Sequence, residues 1–85
     1  MQTFEYKITD EVGLHARPAG LLVKAAKQYK SDIKIEYNGK SSSAKALMAI
    51  MAMGIMKDAV VKVSVDGEDE AEAFEGIKKF MEENL

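Results

Sequence analysis

The sequence predicts an α+β fold, a four-stranded, mostly antiparallel sheet with helices on one face, in the order β-α-β-β-α-β-α. Three observations lead there. Several short segments alternate apolar and polar residues with a period of two, so each has one face to bury. Between them lie segments whose apolar residues recur at helical spacing. The pair Asn38-Gly39 joins two of the strand-like segments, and it is the strongest short hairpin signal because both positions of a type I′ turn need positive φ. Since each strand has a single apolar face, helices need cover only one side of the sheet.

The elements follow in order. Phe4, Tyr6 and Ile8 point one way and Glu5, Lys7 and Thr9 the other, which predicts a half-buried first strand. Asp10-Glu11-Val12-Gly13 is a polar connection. Ala19, Leu22, Ala25, Ala26 and Tyr29 predict a helix from Ala16 to about Tyr29, with Lys24, Lys27 and Lys30 on its solvated side. Ser31-Asp32 ends it. Ile33, Ile35 and Tyr37 form the second strand, and the serine-rich return from Lys40 to about Ala44 depends on the turn and a strong neighbour. Lys45 to Met53 is apolar nearly all round, with Gly54 placed to end a short helix in the left-handed conformation. Ile50 and Met53 are expected to pack inward while Leu47, Met48 and Met51 face out. Val61, Val63 and Val65 make one face of the fourth strand. Asp69 and Glu72 resemble a capping pair for a last helix lined by Phe74, Ile77 and Met81.

With 85 residues there is room for one domain, expected to span 1–85. The chain is 47% hydrophobic and 31% charged, too apolar for disorder. It has no cysteine, hence no disulfide framework and no thiolate metal site, which suits a reducing cytoplasm. The first residues lack the basic and apolar regions of a signal peptide, and no run of apolar residues is long enough to span a membrane. The net charge of −2 argues against a nucleic-acid partner. That average conceals a division, since residues 1–65 carry ten basic and six acidic side chains, and residues 66–85 carry two and eight. Such a dipolar surface can steer an acidic partner toward one side, or the acids simply solvate the last helix.

The only histidine, arginine and proline lie within four positions of one another, in Gly13-Leu14-His15-Ala16-Arg17-Pro18-Ala19. His15 directly precedes a helix, where free N–H groups and the positive dipole end attract anions. Arg17 adds a permanently charged, forked donor suited to phosphate oxygens. Pro18 falls in the first turn, where its missing N–H costs little and its fixed φ stiffens the helix start. An imidazole near neutrality keeps a nucleophilic fraction. A second histidine or a cysteine, which a usual transition-metal set would need, is absent, and the serines at 41–43 form no nucleophile elbow. On these residues alone, His15 is a local surface cap or a phosphoryl-accepting anion site.

The same seven residues resemble the phosphorylation-site signature of the HPr family, the histidine-containing phosphocarriers of the phosphoenolpyruvate-dependent sugar phosphotransferase system. The resemblance extends over the chain: its length, element order, Asn38-Gly39-Lys40 in the hairpin, and Lys45 to Gly54 closing in Met53-Gly54-Ile55. It implies an open-faced β-sandwich, four antiparallel strands covered on one face by three helices. It also implies a phosphoryl carrier rather than an enzyme, cytoplasmic, monomeric and without a cofactor or metal. Phosphorylated enzyme I would be the donor and the IIA domains of sugar permeases the acceptors. His15 would bear the group on Nδ1, Arg17 would balance its charge, and the amides of Ala16 and Arg17 would add donors. The docking face would comprise Ala16, Gly20, Lys24, Lys27, Leu47, Met48 and Met51.

Two departures qualify this. Gly20 stands where many relatives have alanine, and it offers a partner no side chain. Ala46 stands where many relatives carry a regulatory serine, and without a hydroxyl the corresponding kinase control is excluded; Ser43 lies in a predicted strand and does not inherit that role. A carrier of a nitrogen-related or dedicated regulatory branch is the alternative within the family. Outside it stands a binding module of similar architecture that transfers nothing.

Overall fold

The computed structural model describes residues 1–85. The chain forms β1 (Gln2–Lys7), α1 (Ala16–Ala26), β2 (Asp32–Tyr37), β3 (Lys40–Ser43), α2 (Leu47–Ala52), β4 (Val60–Asp66) and α3 (Glu70–Asn84). All strand pairs are antiparallel and the sheet order is β1-β4-β2-β3. This is the expected open-faced α+β sandwich. The last strand fills the centre, where Val63 lies between Phe4 and Ile35 in register. Val61, Val63 and Val65 are fully buried against the helices, as the period of two requires.

The other face of the sheet stays open and polar. There Lys62 is registered with Glu5 on one side and Glu36 on the other, an arrangement of opposite charges that supports pairing without a cover. On the inner side, one cluster of 20 buried residues collects side chains from every helix and all strands but β3 and β1. Phe4 and Phe74 bridge β1 to α3 edge to face, with ring centroids 5.3 Å apart. In the hairpin, Asn38 and Gly39 have φ of 51° and 79°, the two positive values that the turn needs. No helix is long and apolar enough to cross a membrane.

Strand β1 ends at Lys7, short of the expected Ile8 and Thr9, and three helix ends also differ from expectation, two of these for one cause. Helix α1 stops at Ala26 rather than near Tyr29, because Gln28 and Tyr29 donate to carbonyls three residues back and tighten the chain into a turn. Helix α2 begins at Leu47 rather than Lys45. Lys45 is drawn away to the turn after α1, where its Nζ donates to the carbonyls of Tyr29 at 2.8 Å and Ser31 at 3.1 Å. Asp69 does occupy the cap position of α3, but its side chain makes no cap bond. It reaches instead to that same turn, accepting from the backbone N–H groups of Lys30 and Ser31, each at 2.9 Å, and from the Ser31 hydroxyl. The Ser31 hydroxyl first, then the Lys30 amide, hold the Asp69 carboxyl below its ordinary range. Glu70 takes over near the helix start, accepting from the Gly67 amide.

Candidate functional site: the start of helix α1

The loop between β1 and α1 is anchored at several points before it reaches His15. Thr9 and Asp10 donate their amides to the main-chain oxygen of Leu85 at 2.6 and 2.9 Å, and the Thr9 hydroxyl joins them at 2.7 Å. Asp10 then folds the loop, accepting from the Val12 amide through Oδ1 and from the Gly13 amide through its carbonyl. Gly13 has φ of +80°, and an added Cβ would lie 2.5 Å from the carbonyl oxygen of Ile55. Only glycine fits that approach. It lets the Leu14 amide bond the Ile55 oxygen at 3.0 Å while the Leu14 side chain enters the core.

His15 follows as the cap residue of α1, with extended backbone at φ −94° and ψ −173°. Its carbonyl accepts from the Ala19 amide at 2.9 Å, but its side chain makes no cap bond and is free for other work. Pro18 has no N–H to satisfy and is buried. The amides of Ala16 and Arg17 therefore remain, and neither donates to any group of the chain. These two donors and the helix dipole converge beside the imidazole.

His15 and Arg17 line one cleft of about 280 Å³ together with Asp10, Pro18, Leu21, Glu83 and Asn84. Arg17 is exposed and forms no ion pair within the chain. The cleft thus brings the guanidinium of Arg17 to His15, next to the helix start with its two unbonded amides, while Asp10 and Glu83 add negative charge to its lining. No three histidine, aspartate or glutamate side chains converge to hold a metal ion.

The expected docking residues lie on α1 and α2, two helices in contact. Ala16, Lys24 and Lys27 are exposed along α1, and open space surrounds the place of a Cβ on Gly20. On α2, Met48 is 77% exposed, Met51 41% and Leu47 36%, while Ile50 and Met53 pack into the core. The structure adds Met56, which is 60% exposed and whose Cα would lie 2.6 Å from a Cβ on Gly13, against the loop that carries His15. Asp10, Glu83, Asn84 and Met56 escaped sequence reasoning. No local signal marks them, because their positions depend on the bonds from Thr9 and Asp10 to Leu85 and on the contact between Gly13 and Ile55.

An open-faced sandwich with a lone histidine at the start of its first helix is what the resemblance to the small histidine phosphocarriers implies. The comparisons agree. The family model described as the PTS HPr component phosphorylation site matches residues 2–83. The histidine-containing phosphocarrier protein of a mycoplasma is 40% identical, with 96% of this chain and 93% of that one covered, at a TM-score of 0.93. An HPr from Thermoanaerobacter tengcongensis is 39% identical over 96% of this chain and 92% of its own, at a TM-score of 0.92. A dimer of HPr from that organism is 38% identical over 98% and 95%, at a TM-score of 0.77. The chain belongs to the HPr family of phosphotransferase-system phosphocarriers.

Proposed function

We propose that His15 takes a phosphoryl group from phosphorylated enzyme I, charged by phosphoenolpyruvate, and passes it to IIA domains of sugar permeases. The observation that carries this reading is the cleft shared by His15 and Arg17 at a helix start whose first two amides, those of Ala16 and Arg17, are unbonded. The Nδ1 lone pair of neutral His15 attacks phosphorus as the bond from phosphorus to the donor's leaving group breaks, and that electron pair stays with the donor group. Charge on the three phosphoryl oxygens then falls toward Arg17 and the amides. The chain works as a carrier and its partners complete the geometry of each transfer. Partners dock on Ala16, Gly20, Lys24, Lys27, Leu47, Met48 and Met51, where the two lysines attract acidic surfaces and the thioethers adapt to differing shapes. The carrier acts as a cytoplasmic monomer; the poorer fit to the related dimer than to the HPr of the same organism supports the monomeric part of that reading.

The test is incubation of the monomeric fraction with phosphoenolpyruvate and enzyme I. An acid-labile, base-stable adduct is expected on the native chain and none on His15→Ala. Equal labelling of the two proteins would defeat the proposal.

A further inference from the structure

The chain has no cysteine and six methionines, so thioethers are its only sulfur that an oxidant can reach. Their distribution is uneven. Met53 and Met81 are 7% and 0% exposed in the core. Met1 is exposed at the far end of β1, where its amino group pairs with Glu70 at 3.0 Å. Met48, Met51 and Met56 are exposed, the first two one helical turn apart on α2 in the docking face assigned above, and the third against Gly13, two residues before His15.

We propose that Met48, Met51 and Met56 are oxidation sites through which a peroxide switches off docking of the phosphoryl donor. The inference rests on the docking role assigned above. The thioether lone pair attacks one peroxide oxygen, the O–O bond breaks, and an S=O group forms as water leaves. Sulfur gives up two electrons and the peroxide takes them. The product is a polar, chiral side chain in place of a flexible apolar one. When a partner covers it, the sulfoxide oxygen must shed water without a donor in return, and the contact weakens. His15 and Arg17 are untouched, and the buried methionines keep the fold intact. A thiol-dependent methionine sulfoxide reductase, which returns two electrons and releases the oxygen as water, restores the surface.

The experiment treats the native chain with hydrogen peroxide, maps the oxygen uptake by peptide mass spectrometry, and titrates enzyme I before and after. Met48, Met51 and Met56, together with Met1, are expected to gain oxygen well before Met53 and Met81. Affinity for enzyme I is expected to fall about tenfold or more, a difference well within reach of titration, with an unchanged melting temperature and recovery on reductase treatment. In M48L/M51L/M56L, affinity for enzyme I, whatever its starting value, is expected to be the same before and after peroxide. Unchanged affinity in fully oxidised native protein overturns the inference and leaves the docking reading intact. A peroxide-induced loss in the triple variant overturns it as well, by placing the lesion elsewhere. Failure of the untreated chain to bind enzyme I removes the docking reading and the inference with it.

Discussion

Helix α1 has two ends that the chain treats in opposite ways. At its start, the amides of Ala16 and Arg17 are unbonded, the cap side chain of His15 is free, and Arg17 has no ionic partner. Beyond its end, the turn through Ser31 is fully bonded. Ser31 is 1% exposed, yet Asp69 receives its amide and hydroxyl, and Lys45 supplies a donor to its carbonyl. Buried polar groups must be paired or they destabilise the fold. Exposed ones need not be, and can be kept for a ligand. One helix therefore carries its free groups and its anchorage at separate ends, and on the proposed function substitutions should separate transfer from stability cleanly.

The largest expected effect lies at the open end. Arg17→Glu should slow phosphoryl acceptance from enzyme I by about a hundredfold, the scale of losing a donor aimed at developing charge, with thermal stability unchanged. A loss of stability comparable to that at the other end would erase the separation. Ser31→Ala should do the reverse, lowering Tm by about 6 °C through the lost bond to a carboxylate and leaving transfer rates near native. Its pH dependence sharpens the point. Because the Asp69 carboxyl is held below its ordinary value of 3.8, chiefly by Ser31, this pairing stabilises the fold above that pH. The contribution fades as pH falls through the lowered value, so native and Ser31→Ala melting points should converge in acid. The smallest effect is expected within the cleft itself. Glu83→Gln removes a charge that opposes the phosphoryl dianion and should move the equilibrium with enzyme I toward phosphorylated carrier by about two- to threefold, less at high salt. An equilibrium independent of salt would show that Glu83 exerts no field on His15.

The two ends also differ in how far the sequence foretells them. Period-two valines at 61, 63 and 65, the Asn38-Gly39 turn and the split of α2 into inward Ile50 and Met53 against outward Leu47, Met48 and Met51 are local patterns, and the structure follows them. The crowding of His15, Arg17 and Pro18 at a helix start is local too. The bonds of Asp69 to Ser31 join residues 38 apart, and those of Lys45 to Tyr29 span 16. Asp69 reads as an ordinary cap until a buried serine competes for it, and that competition exists only once the sheet has formed. Glu83 reaches the cleft by the same kind of long-range closure, through Leu85 and Thr9.

The close approach at Gly13 has a mechanical consequence. The residue two places before the His15 imidazole touches the backbone of Ile55 and Met56, with no room for even a methyl group between them, and the next residue is bonded to Ile55. Tight packing passes displacement on rather than absorbing it. A partner that presses on Met56 thus has a short, stiff linkage to the backbone of His15. If His15 reacts and partners hold Met56, as proposed, the gripped surface and the reacting atom move as one piece, and the histidine is presented in the same attitude to each partner.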